Sequence, residues 1–511
     1  MEAKLRSAHI IRAEALSEPK ATYDLNLLDS TIARLYIRPA YFFEAPRTAL
    51  SDEFWINSLS KTLNDYRFLT GTVTRHSSTR LSLTESDRGC TLEFAETPQL
   101  TLSLLRHAQF GSESVPDSLY PSAGIVQDDT TWNSIELLRV RITTLGDGAI
   151  VLGASMFHSV WDGHSMFQFI KDWAATARGE GFIPPVRDPV LLRPLSQPQT
   201  ASTPSATTHA ARPAAATPKL SQAPVLENFY VSPSALQELK AYVSSLPLPD
   251  GPMRDAASQV SSQDCLAALI WWSLVQTSNA RSSKINTVCA YPVNLRTLKR
   301  PLVPMEYCGN AWLSMHEKTA KFSINDLIAS ENGIRMAACA IRHGVMSLTA
   351  GHLEEQLARL SSNPPIPDLS ILGCFITSWR GFRVYDTDFG FGKPLEFIPL
   401  HSKNPHVMVT YIRPMPDDAG NGYKGESGAE FQLCLVRNTE LPVVLVRRKE
   451  RQERCLEISL QSPTTNERDK GGGCCKYCLC VVFGYRCVPN ISLHQKHQIL
   501  LCIEREPTFI L

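Results

Sequence analysis

The sequence predicts an α/β protein built as two halves of comparable size, and three observations carry that reading. Short apolar runs of strand length alternate with stretches of helical period on both sides of the middle of the chain. Between them, from Leu195 to Gln222, lies a stretch rich in Pro, Ala, Ser and Thr and almost free of large apolar residues. And 511 residues are too many for one hydrophobic core. The expected units are residues 1–192, a disordered crossover at 193–224 that buries too little to offset its ordering entropy, a second unit at 225–445, and a Cys-rich tail at 446–511.

In the first half, Leu25–Asp29 precedes a helix-like start and Tyr36–Phe43 reads as a strand. Phe54, Trp55, Leu59 and Leu63 lie close to helical spacing. Ile135–Thr144 and Ala149–Ala154 read as a hairpin turning at Gly146-Asp-Gly148. From Gly163 the period changes: Met166, Phe167, Phe169, Ile170, Trp173, Ala174 and Ala177 share one helix face. The second half opens with a strand at Glu227–Val231 and a helix begun by Ser232-Pro. Ser262–Trp272 reads as a capped, strongly apolar helix. Ile285–Val293 is a strand, Ile324–Leu348 is largely helical, and another strand lies around His406–Ile412. The chain shows no internal repeat of the solenoid type.

Composition excludes several partners. With 51 basic and 50 acidic residues the chain has no global field to draw nucleic acid or an anionic membrane. The first twenty residues lack the apolar core of a secretory signal, and no run is long enough to span a bilayer, so a soluble cytoplasmic protein is expected. Cysteines 90, 265, 289, 308, 339, 374 and 434 sit mostly in apolar segments and read as buried free thiols.

Chemistry concentrates where strand gives way to helix, at His158-Ser-Val-Trp-Asp162-Gly163. A neutral imidazole can accept a proton from a hydroxyl; a lone histidine is more often a buried one satisfied by backbone, and it is Asp162 four residues on, followed at once by glycine, that shifts the balance toward chemistry. Asp162 could be an ordinary helix N-cap, and Gly163 permits a tight backbone. The pair lacks a third ligand at a recognisable interval, so no metal is expected. His164 is taken as a surface residue. No nucleophile elbow, Walker loop or dinucleotide fingerprint is present. A base without a nucleophile points to direct transfer from an activated donor to an acceptor.

HSVWDG matches HxxxDG, and Asp388-Phe-Gly-Phe-Gly392 matches DFGWG with Phe391 in place of Trp. With the boxes Leu25–Asp29, Asn294-Leu-Arg296, Tyr307-Cys-Gly-Asn310 and Thr377-Ser-Trp379, the chain resembles the BAHD superfamily of acyl-CoA-dependent acyltransferases over about residues 20–440, closest in style to its fungal branch. The resemblance implies two pseudo-symmetric chloramphenicol-acetyltransferase-like domains with the active site in a channel between them. It implies His158 as general base and Asp162 as a structural residue that holds the loop through Arg296, beside Gly163. Trp379 and Thr377 match residues that line the site and stabilise the oxyanion, although core packing is an equal reading for Trp379. The resemblance implies that Asp388, Gly390 and Gly392 are fold-supporting. It implies no permanently bound cofactor, acyl-CoA (acetyl-CoA by analogy) as co-substrate, a small-molecule hydroxyl acceptor from secondary metabolism, and a monomer. Two rivals stand beside it. One is a condensation domain using carrier-bound acyl groups, against which Phe157 breaks the double-histidine signature; the other is a decayed member that only binds ligand. In the tail, Cys475, Cys478, Cys487, His494 and His497 fit no standard zinc spacing, and the segment reads as disordered or as an artefact of gene prediction such as intron read-through.

Overall fold

The computed structural model describes residues 2–192, apart from 16–20, 33–34, 78–79, 109, 112–113 and 123–134, and residues 224–436, apart from 250, 252, 278–285, 316–321, 324–326, 328–331, 362–371, 400–408 and 416–428. Of the expected crossover at 193–224, residues 193–223 lie outside the described residues, as does the Cys-rich tail, whereas Pro224 already opens the strand Pro224–Val231.

Among the described residues two mixed sheets dominate. The first has seven strands. Lys4–Ile11 lies at one edge, followed by Cys90–Thr97, Leu138–Leu145, Ile150–Phe157, Pro39–Phe43 and Glu396–Pro399, with Tyr36–Ile37 also pairing with Ile150–Phe157. The second has six, in the order Pro224–Val231, Ala429–Val436, Val409–Pro414, Leu372–Ser378, Asn286–Ala290 and Phe322–Ser323. Glu396–Pro399 belongs to the second half of the chain but pairs antiparallel with Pro39–Phe43 of the first. The two halves of the chain are therefore interlocked through this strand.

The hairpin forms as its turn residues direct. Gly148 takes a φ of +79°, which favours glycine, and Asp147 accepts from the Leu102 amide at 2.8 Å. All eight residues of Ile150–Phe157 are buried, so its near-unbroken apolar run is that of a central strand covered on both faces. It runs three residues beyond Ala154 and ends immediately before His158. The helix Gly163–Ala177 then buries Met166, Phe167, Phe169, Ile170, Trp173 and Ala174 against the first sheet, each large side chain contributing about 1.5–3 kcal/mol.

Several boundaries differ from the sequence reading for local reasons. Asn26 caps a short helix, Leu27–Thr31, with Asp29 closing a capping box, so the Leu25–Asp29 box contains the helix start. The apolar helix Ser262–Thr277 is capped by Ser261: its hydroxyl accepts from the Asp264 amide at 3.2 Å while Asp264 accepts from the Ser261 amide at 2.7 Å. The strand expected at Ile285–Val293 is divided into Asn286–Ala290 and Pro292–Asn294, because Pro292 cannot donate to a ladder. Cysteines 90, 265, 289, 308, 339 and 374 are free and buried. No described helix is long and apolar enough to cross a membrane.

Asp388–Gly392 packs far from its neighbours in sequence. Phe389 sits 5.0 Å from Trp55, 5.2 Å from Trp173 and 6.1 Å from Phe43, ring centre to ring centre, and Phe391 lies 5.3 Å from Phe43. The Asp388 carboxylate accepts from the amides of Gly390 at 2.8 Å and Gly392 at 3.0 Å. Those glycines adopt φ of +97° and +122°, which other residues rarely take. A motif in the second half thus plugs an aromatic core in the first.

Candidate active site

His158, Asp162 and Arg296 meet at the junction of the two halves. His158 follows the buried strand directly and begins a three-residue 3-10 turn, His158–Val160; Trp161 is extended, and Asp162 caps the next helix. The His158 amide donates to the Leu35 carbonyl at 2.9 Å, and its carbonyl accepts from Asn310 Nδ2 at 2.9 Å. Its ring Nδ1 lies 3.1 Å from the Trp161 carbonyl oxygen. A carbonyl can only accept, so Nδ1 carries the hydrogen and, in the neutral ring, Nε2 carries the lone pair. The side chain is half-buried. Burial lowers its pKa below the ordinary histidine value; the Asp162 charge and the local hydrogen bonds pull the other way without restoring it.

Asp162 combines two tasks. Oδ1 accepts from the Ser165 amide at 3.0 Å, the N-cap bond, and from the Ser165 hydroxyl at 2.9 Å. Oδ2 accepts from Arg296 Nη1 at 2.8 Å and from the Ala311 amide at 3.0 Å. The carboxylate therefore faces away from the imidazole. Burial pushes its pKa up, but the Arg296 guanidinium, then His164 and the hydrogen bonds, more than reverse this and leave it below the usual carboxylate range.

Arg296 has essentially no exposed side-chain surface. It also donates to the carbonyls of Tyr307 at 2.9 and 2.7 Å and Gly309 at 2.9 Å, and Nη1 donates to Asn294 Oδ1 at 3.1 Å. The Asn294-Leu-Arg296 and Tyr307–Asn310 boxes thus form one polar knot around Asp162. Every donor that the fork presents finds an oxygen, which a buried guanidinium requires.

Gly163 is constrained differently from the sequence reading. A Cβ there would come within 3.0 Å of the Phe382 ring, so close aromatic approach accounts for the glycine. His164 is half-buried and not a surface residue: Nε2 lies 3.1 Å from the Met305 carbonyl, because the loop before Tyr307 folds over the helix start. Trp379 is 7% exposed; its amide donates to the Ile412 carbonyl at 2.7 Å and its ring packs on Phe167, Phe397 and Tyr411. Thr377 is half-buried on the Leu372–Ser378 strand, paired with Tyr411. Among the described residues no group of three or more His, Cys, Asp or Glu could hold a metal ion.

Two residues beside the His158 turn were given no role from sequence, although Asn310 ends one of the motif boxes. Asn310 joins the His158 carbonyl to Asp29, donating to Asp29 Oδ1 from both its amide and Nδ2 at 2.8 Å. Burial pushes the Asp29 pKa up to about 6, with Arg187 and the Asn310 and Asn26 bonds opposing. Arg187 is the second; its neighbours in sequence carry no signal for it.

A Transferase family model matches residues 3–424 of the chain. Among curated relatives, a 3'-N-debenzoyl-2'-deoxytaxol N-benzoyltransferase of Taxus canadensis is 27% identical over 406 residues, 76% of this chain and 84% of its own length. A fatty alcohol:caffeoyl-CoA acyltransferase of Arabidopsis thaliana is 23% identical, covering 79% and 90%. Among solved structures, vinorine synthase superposes with a TM-score of 0.61 at 20% identity, covering 86% of this chain and 96% of that one. F. graminearum TRI101 in complex with coenzyme A and T-2 mycotoxin gives 0.60 at 15% identity, covering 82% and 96%. The mixed α/β architecture is that of the two-domain, chloramphenicol-acetyltransferase-like fold. With a family model spanning most of its length and acyltransferases as relatives, the chain is an acyltransferase and belongs to the Transferase family of BAHD acyl-CoA-dependent enzymes.

Proposed function

We propose that the chain moves an acyl group from a coenzyme A thioester to a hydroxyl of a small secondary metabolite, with His158 as general base. The observation that carries this reading is the bond from Nδ1 to the Trp161 carbonyl, which leaves the Nε2 lone pair for the acceptor. Nε2 takes the hydroxyl proton as the oxygen attacks the thioester carbonyl. The tetrahedral intermediate collapses with loss of the coenzyme A thiolate, and the imidazolium returns its proton to that sulfur. Asp162 and Arg296 keep the turn in place and transfer no proton. Trp379 and Thr377 are the oxyanion-side residues of this reading. Asp388, Gly390 and Gly392 support the fold.

The finer assignment is acetyl-CoA as donor, a fungal metabolite as acceptor, and a cytoplasmic monomer with no resident cofactor. The similarity to F. graminearum TRI101, solved with coenzyme A and T-2 mycotoxin, supports a coenzyme A donor and a fungal small-molecule acceptor; the plant relatives, named for benzoyl and caffeoyl transfer, favour aromatic donors. Thiol release from acetyl-, benzoyl- and caffeoyl-CoA, each against a panel of aliphatic, phenolic and sesquiterpenoid alcohols and arylamines, separates them. Acetyl-CoA turnover with an alcohol is expected. Turnover of aromatic donors alone would reject the acetyl assignment, and a folded protein inert with every pair would point to a decayed binder.

The pH dependence has a defined sign. Protonated His158 has no lone pair, so activity falls as pH falls through its pKa, and burial has lowered that pKa. The acid limb of kcat/KM is therefore expected below the ordinary histidine value of 6.5. A kcat/KM profile from pH 5 to 9 measures it, and a limb at or above 6.5 contradicts the environment described.

A further inference from the structure

The chain leaving the Gly163–Ala177 helix crosses onto the second half at Val186, which forms a parallel bridge with Tyr307. Its amide donates to the Glu306 carbonyl at 2.8 Å and its carbonyl accepts from the Cys308 amide at 2.7 Å. That crossing delivers Arg187 to the underside of the His158–Val160 turn. Nη1 donates to the Val160 carbonyl at 2.8 Å and to the Cys308 carbonyl at 3.0 Å, and Nε donates to the Tyr23 hydroxyl at 3.0 Å. The guanidinium lies 4.2 Å from the centre of the Phe68 ring, a favourable stacked placement for this cation.

The turn needs such a partner. Three residues of 3-10 helix are too few to satisfy their own carbonyls. The His158 carbonyl is taken by Asn310, the Trp161 carbonyl by the imidazole itself, and the Val160 carbonyl by Arg187. One nitrogen of a rigid, planar group thus spans a carbonyl of the His158 turn and a carbonyl of the second half. Tyr23 and Phe68 fix the plane of that group from the first half.

We propose that Arg187 is a positioning residue for His158, setting the place of the imidazole by tying the Val160 carbonyl to the Cys308 carbonyl across the junction. It touches no reacting atom. The inference rests on His158 being the general base, and its test is separable from that reading.

The test compares Arg187→Ala, Arg187→Lys and His158→Ala with the wild type, by thermal melting and by steady-state kinetics with acetyl-CoA and the best acceptor of the panel. A misplaced base costs turnover and leaves ground-state binding alone. Arg187→Ala is expected to lose about 10- to 100-fold in kcat, with both KM values nearly unchanged, and millimolar guanidinium is expected to restore part of the loss. Arg187→Lys should fall between, because an ammonium can reach the carbonyls but not Tyr23 in the same plane. A higher KM for acetyl-CoA at unchanged kcat would overturn the proposal in favour of a substrate contact, and lost activity that tracks lost melting temperature without rescue would reduce Arg187 to a fold residue. If Arg187→Ala does not fold, the lysine variant decides: wild-type kcat there overturns the proposal. Activity surviving in His158→Ala would instead reject the general-base reading itself.

Discussion

His158→Ala is expected to lower kcat by about 10²- to 10⁴-fold, the usual worth of a positioned general base. Truncation removes the Nε2 lone pair, which the local bonding leaves uncommitted: Nδ1 is spent on the Trp161 carbonyl and the backbone on Leu35 and Asn310. Stability should change little by comparison. The amide and carbonyl bonds of residue 158 are made by backbone and survive in alanine, and the side chain is only half-buried. Binding of acyl-CoA, measured by calorimetry, should persist, because a base acts on the acceptor proton. A variant with wild-type turnover would remove His158 from the chemistry. One that fails to fold would show that the imidazole's bond to Trp161 is structural.

The second large effect concerns stability. Replacing Arg296 by methionine leaves the Asp162 carboxylate buried with its countercharge gone, which costs about 3–5 kcal/mol. Removing both charges should cost less. In Asp162→Asn/Arg296→Met the asparagine can still accept from the Ser165 amide as N-cap, so the double variant is expected to unfold at a higher urea concentration than Arg296→Met alone. The pH dependence follows from the direction of the Asp162 shift. Its folded pKa lies below the ordinary 3.8, so the ion pair's contribution is complete above that value and is lost as pH falls through the folded pKa. Urea midpoints that rank the double variant below Arg296→Met would mean that the pair carries no net charge-burial penalty when broken. Turnover is a further readout: the turn that carries His158 is anchored through Asp162, so Arg296→Met should also lower kcat in whatever fraction remains folded.

Much of the local structure was legible because it is written in short-range patterns. The switch from an apolar run to helical period across residues 149–177 located the strand, the turn and the helix, and Asp162 as N-cap follows from its place before that period. Ser232 before Pro233 located another helix start in the same way. Boundaries moved where a side chain several positions away intervened, as Asp264 did in making Ser261 the cap. The constraint on Gly163 was legible as a glycine but not as its cause, since Phe382 lies more than two hundred positions on.

By itself the sequence determined the α/β class, the strand–turn–helix that presents His158, and, through motifs in a particular order, the family. Those depend on periodicity, capping and residue identity, which act over a few positions. Only the tertiary structure decided which way the imidazole's lone pair points, that Asp162 turns from it toward Arg296, and that Glu396–Pro399 and Asp388–Gly392 complete the first half. It alone brought Arg187 beneath the His158 turn and Asn310 against its first carbonyl. Each of these is a hydrogen bond, ion pair or ring contact between segments tens to hundreds of residues apart. No local pattern records them, because their partners are chosen by burial: a polar group taken out of water must find its counterpart in whatever the fold places beside it.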